Sequence, residues 1–194
     1  VGTCRLLALL QKSGTRATFF ILGAAAEGAP DLVREIAHQG HEIATHGYGH
    51  EFVYDLDPEG FRADLQRSLE VLAGIVSDPV YGYRAPYFSI TRDSLWAFEV
   101  LLECGIRYDA SVFPVHNHRY GISDAPRFVH EVRPGLLEVP PSTWRVAGRN
   151  LPVAGGAYFR LFPYTLTRLG LRRSHAEGEP AVFYLHPWEL DPDH

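Results

Sequence analysis

The chain of 194 residues has no methionine, two cysteines, no run of basic residues and no apolar stretch of the roughly 20 residues a bilayer crossing needs. Each absence excludes something. Cys4 and Cys104 are too few for a disulfide framework and say little about compartment. A net charge of -5 without a basic run argues against a nucleic-acid partner. No transmembrane segment and no signal-peptide pattern is visible. With no methionine, the native start is expected upstream of Val1. What remains, 46% hydrophobic residues, is enough for one domain with a core, and we read residues 1–194 as a single domain truncated at its N-terminus.

Hydrophobic periodicity gives alternating helices and strands. Leu6, Leu7 and Leu10 predict a helix over Val1–Gln11 that stops at Gly14. An α/β fold seldom begins inside a helix, so at least one strand is expected upstream. Strands are predicted at 17–22, 41–45, 80–84, 106–112 and 136–139, with a last buried strand at 181–185. Helices are predicted from Pro30 to Gly40, after the cap Asp57-Pro58, from Thr91 through Leu102, and at about 163–173. Such alternation gives a parallel sheet or an α/β barrel, with function at the carboxyl ends of the strands.

Chemistry-bearing residues fall at those ends. His46 and His50 follow the strand 41–45, separated by Gly47-Tyr48-Gly49. A His-x-x-x-His pair can share a metal if the segment turns helically; alone it can equally be two polar loop residues. Arg84 ends the strand 80–84, followed by Ala85-Pro86-Tyr87. His186 ends the last strand, ahead of Pro187-Trp188. In a barrel these groups converge on one mouth. A histidine there suits general acid work, and a permanently charged arginine suits orienting a carboxylate or holding an anion.

The stretches ATFFILG (17–23), THGYGH (45–50), YRAPY (83–87), YDASVFP (108–114) and YLHPW (184–188) resemble, in order, the motifs of the NodB-type polysaccharide deacetylases, carbohydrate esterase family four. RAPYFSIT, GGAYFRLFPY and VFYLHPWELDP are similar to the branch found with bacterial exopolysaccharide and exosortase systems. The resemblance implies a distorted (β/α) barrel, here lacking its first strand, with a divalent metal, usually zinc, at its mouth. It implies His46 and His50 as metal ligands and His186 as the acid that protonates the leaving amine. It implies that Arg84 stands against a catalytic aspartate. The substrate would be an N-acetylated polysaccharide, met by Tyr87, Pro86 and Trp188, with the backbone near Tyr87 helping to hold the oxyanion. The resemblance leans toward the cell envelope over the cytoplasm.

The family's Asp-Asp motif, which supplies the base and the third metal ligand, is missing from the chain; Asp55, Asp109 and Asp191 are the in-chain candidates for a substitute, and nothing in the sequence selects one. Asp109 could support His186 or cap a strand end. His116, His118 and Arg119 could touch an anionic sugar or be a solvated loop. Arg160 could meet substrate or a structural carboxylate, and Trp144 could line the groove or be buried. His38, His41, His130 and His175 carry no pattern. Three functions stay open: a polysaccharide N-deacetylase, a small-molecule amidase of the same superfamily, and a carbohydrate-binding relative without turnover. Polymer, linkage, metal identity and oligomeric state are not legible.

Overall fold

The computed structural model describes residues 2–190. Seven helices and eight strands are present among them: α1 Gly2–Ser13, β1 Thr18–Ile21, α2 Gly23–Gly28, α3 Pro30–His38, β2 Glu42–Thr45, α4 Pro58–Ala73, β3 Gly82–Tyr83, α5 Ala97–Glu103, β4 Tyr108–Asp109, β5 His130–Arg133, β6 Leu136–Glu138, β7 Thr143–Val146, β8 Arg149–Pro152, α6 Gly156–Leu161 and α7 Tyr164–His175. The order of the main sheet is β1-β2-β3-β4-β6-β5. All its pairings are parallel except β5 with β6. The fold is therefore α/β as expected, but among the described residues the six strands form an open sheet rather than a closed barrel.

Local chemistry sets the helices. Asp57 caps α4 by accepting from the Gly60 N–H at 2.7 Å, and Pro58 follows at the first helical position. One face of α4 buries Phe61 and Leu65 against Tyr83 and Leu101. Leu72, at its far end, joins Val33, Ile36 and Ile43 in a second cluster over β2. Truncating a side chain such as Leu65 to alanine removes about 2–5 kcal/mol. The first of these clusters continues through Val112, Ile122 and Leu136.

The strands are shorter than the periodicity predicts. Residues 80–84 and 106–112 yield two paired residues each, at Gly82–Tyr83 and Tyr108–Asp109. Residues 181–185 do not form a buried strand: one bridge joins Gly155 to Tyr184. Backbone bonds nevertheless hold that segment, from Ser142 N–H to Val182 O at 3.0 Å and from Tyr184 N–H to Ala154 O at 2.8 Å. His186 therefore leaves a tethered segment rather than a sheet strand.

Candidate active site

β2, β3 and β4 are neighbours in a parallel sheet, so their carboxyl ends lie side by side. His46 leaves β2, Arg84 leaves β3 and Ala110-Ser111 leave β4. The segment after His46 does not turn helically. Gly47 takes φ +76 and His50 takes φ +63, both left-handed, and the chain doubles back. Two partners hold that loop. The N-terminus of α2 donates from Gly23 N–H to Gly47 O at 2.9 Å. On the other side Asp64 of α4 accepts from Tyr48 N–H and from Gly49 N–H, each at 2.8 Å. Tyr48 packs over Gly23, where a Cβ would stand 2.7 Å from its ring, and its hydroxyl donates to Glu27 at 2.8 Å. Asp64 has no sequence signal, because it reads as a polar position on an amphipathic helix.

The loop brings the His46 and His50 rings to 5.3 Å between centroids, edge to face. His46 Nδ1 lies 2.6 Å from the Arg84 carbonyl oxygen, a contact that only an Nδ1–H can satisfy. That tautomer leaves Nε2 as a free lone pair, the form a metal ligand needs. Burial holds the His46 pKa down to about 3, so the ring is neutral at physiological pH. The chemistry of these two imidazoles therefore fits a divalent metal. Among the described residues no group of three His, Cys, Asp or Glu side chains comes together to complete a site. Asp55 is exposed on a turn, Asp109 is fully buried, and Asp191 lies outside the described residues.

Arg84 donates from Nε to Ala110 O at 3.0 Å and its guanidinium stacks 4.3 Å from the Phe20 ring centroid. Among the described residues it takes no ion pair. The nearest acids in the sheet are Asp109 and Glu138, register partners on β4 and β6, both fully buried. Ser111 donates to Asp109 through its hydroxyl and, at 3.2 Å, through its N–H. Glu138 accepts from Val112 N–H at 3.0 Å through one oxygen, and the other has no hydrogen-bond partner. Burial pushes both carboxyls up, and the neighbouring Asp109 pushes Glu138 further in the same direction.

The substrate-side residues divide. Tyr87, 52% exposed and held at φ +56, packs against His50 at 4.7 Å and stacks on Phe52 at 4.3 Å. Pro86 is buried in the turn beneath it, where its ring fixes the turn rather than facing solvent. Trp188, 46% exposed, stacks on the His186 ring at 4.2 Å. Glu189, which sequence reasoning missed, accepts from the His186 backbone N–H at 2.7 Å and lies 3.5 Å from Nδ1. Glu189, rather than Asp109, is the carboxylate at this ring. Burial lowers the His186 pKa, Glu189 raises it, and charge on Arg84 and His50 lowers it. His116, His118 and Arg119 sit on an exposed loop, and Arg160 is exposed on α6. Trp144 lines a cleft of about 380 Å³ with Arg145, Arg173, Ala176 and Glu177, shared with none of the residues above. His41 accepts from Ala17 N–H at 3.2 Å, a packing role.

The polysaccharide deacetylase sequence pattern matches residues 2–108, more than half of the chain. The chain belongs to the polysaccharide deacetylase family. Residues 110–194 match a second pattern, a domain of unknown function, DUF3473. The deacetylase sheet crosses the boundary between the two matches, since β4 pairs with β6. A peptidoglycan-N-acetylglucosamine deacetylase of Bacillus cereus is 33% identical over 98 residues, 50% of this chain and 36% of that one. The chain spans about a third of the length of the first curated relatives it matches. A solved Mycobacterium smegmatis structure assigned to the polysaccharide deacetylases covers 97% of this chain and 64% of its own, at TM-score 0.72 and 26% identity. A family-four pseudoenzyme from Bacillus anthracis, 16% identical, shares the fold over 96% of this chain and 50% of its own, at TM-score 0.59.

Proposed function

We propose that this polysaccharide deacetylase removes N-acetyl groups from amino sugars of a bacterial exopolysaccharide. The observation that carries the reading is the His46 contact to the Arg84 carbonyl, which sets the imidazole in its ligating tautomer beside His50. His46 and His50 would hold a divalent metal, with zinc taken from the family resemblance because imidazole ligands suit several divalent metals. A metal held there would supply Lewis-acid polarisation of an amide carbonyl and a lowered pKa for water. The chain's own residues do the rest. Glu189 steadies the protonated His186 ring, whose other nitrogen hands its proton to the leaving amine. Arg84 stays cationic and draws developing negative charge toward the mouth. Tyr87 and Trp188 offer exposed ring faces to a sugar. The exopolysaccharide assignment rests on RAPYFSIT, GGAYFRLFPY and VFYLHPWELDP. Residues 2–190 act as one domain in this reading, because β4–β6 pairing and the first core cluster both bridge the two sequence matches.

The test is acetate release from N-acetylglucosamine oligomers beside metal content. About one zinc per chain, lost in His46→Ala, and turnover lowered about 10²–10⁴-fold in His186→Ala are expected. Full activity in His186→Ala would remove it from the acid role. A second reading, a carbohydrate-binding relative without turnover, is favoured because among the described residues no third His, Cys, Asp or Glu side chain joins the histidine pair. It predicts oligomer binding with no acetate released.

A further inference from the structure

Charge is segregated along this chain. Between Glu138 and Glu177 there is no acidic residue, yet Arg145, Arg149, Arg160, Arg168, Arg172 and Arg173 lie there. The molecule as a whole is at -5, so this segment is a cationic island on an acidic protein. It folds as the β7–β8 hairpin with α6 and α7 beside it.

Tyr158, Leu166 and Leu171 of α6 and α7 are half-buried, but Leu161, Tyr164 and Leu169 are turned outward. α7 seats itself through Thr167, Gly170 and Ser174, all buried; a Cβ on Gly170 would stand 2.7 Å from Val153. With small residues inward, Arg168, Leu169 and Arg172 are left on the solvent side. At the corner between the helices Leu161 is 75% exposed and Tyr164 65%. Phe159 backs that corner, with ring centroids 6.5 Å from Tyr164 and 5.3 Å from Phe183. Among the described residues Arg160, Arg168, Arg172 and Arg173 take no ion pair, whereas Glu177 is engaged by Arg127.

We propose that the exposed face of α6 and α7 is a docking surface for an anionic lipid bilayer. Protruding leucine and tyrosine among unpaired arginines is the pattern of a helix lying in a membrane interface. A sugar polymer would stack on aromatic rings and leave Leu161 and Leu169 without a function. Charge complementarity selects anionic headgroups, each arginine near such a surface strengthening partition about fivefold. Among the described residues no helix is long and apolar enough to cross a bilayer, so the face would lie on the surface rather than span it.

The test is cosedimentation of the full chain with vesicles of phosphatidylcholine alone or mixed with phosphatidylglycerol. Pelleting is expected with the mixed vesicles and little with phosphatidylcholine. Arg168→Ser with Arg172→Ser is expected to weaken partition about 30-fold, and the matching lysine pair to restore most of it. Leu161→Ser with Leu169→Ser is expected to weaken it more than tenfold. Circular dichroism unchanged in all variants shows that the fold is kept, as expected for exposed positions. No pelleting with phosphatidylglycerol, or pelleting that ignores both variant pairs, overturns the proposal. Capture by soluble alginate with the same dependence on Leu161 and Leu169 overturns it in favour of an anionic polymer.

Discussion

At Gly47 two constraints act on one residue. Its φ of +76 is costly for any side chain, and a Cβ there would stand 2.7 Å from Asp64 Oδ2, the oxygen that receives the Tyr48 N–H. Gly14 has a similar φ of +62 with nothing within 4 Å, so it isolates the first constraint. Gly14→Ala is expected to cost about 1 kcal/mol. Gly47→Ala is expected to cost about 2–4 kcal/mol, because it also dislodges the half-buried carboxylate that accepts from Tyr48 and Gly49. Equal urea midpoints for the two variants would mean that Asp64 does not brace the histidine loop. Glu138 gives a second prediction. Burial raises its folded pKa, so its contribution is present below the unfolded value of about 4.5 and is lost as pH rises through the folded value. Glu138→Gln carries no such titration, and its amide can fill the vacant hydrogen-bonding position. Its stability relative to the parent chain should rise as pH climbs above about 4.5, and Glu138→Ala, which also lacks the titration, should start about 2–4 kcal/mol below the parent at that pH and close the gap by the same amount. Parallel pH profiles for the parent and Glu138→Gln would refute this. His46, Arg84 and His186 are legible as candidates because each closes an apolar run, and His50 and Trp188 by their spacing from these. Asp64, Glu138 and Glu189 are not, since their roles come from what the fold carries to them.

Among the elements, those with local chemical signals were legible and those made by distant partners were not. Asp57-Pro58 announces α4, and Leu6, Leu7 and Leu10 announce α1. The β7–β8 hairpin was missed because its turn is Ala147-Gly148, with φ +47 and +78, where an asparagine or aspartate normally advertises such a turn. The run 181–185 looked like a strand by composition alone, but its backbone bonds go to Ser142 and Ala154 at separate points. The cationic island does not read as a basic run because its arginines are spread over β7, β8, α6 and α7. One ion pair ties these late elements together: Arg127, nearly buried, grips Glu177 at the end of α7 with bonds of 2.7 and 2.9 Å and reaches Thr143 O on β7 at 2.7 Å. Arg127 holds the Glu177 carboxyl below its ordinary range. The stabilisation is therefore present above about pH 4.5 and lost as pH falls through the folded value. Glu177→Gln should cost about 1 kcal/mol at pH 7, given a half-exposed carboxylate, and should flatten the acid limb of the stability curve. An unchanged acid limb would show that the pair contributes no linkage.

For the molecule as a whole, the two sequence matches meet at residues 108 and 110, between a strand residue and the chain that follows it. If each match were an independent domain, the first should fold alone. The structure argues the opposite. β4 contributes two residues to the sheet, and its only neighbour on one side is β6, from the second match. Val112, Ile122 and Leu136 close the cluster that holds Phe61, Leu65, Tyr83 and Leu101. Cutting at residue 109 would bare that cluster and leave an edge strand of two residues. A fragment of residues 1–109 is therefore expected to show no cooperative thermal transition and no near-ultraviolet dichroism, while the full chain shows both. Adding back residues 110–194 as a separate peptide should restore the transition, because the missing pairings are intermolecular in that mixture but otherwise the same. A fragment that melts cooperatively by itself would divide the chain into two domains, and the site would then belong to an interface, since His186 comes from the second match and His46 from the first.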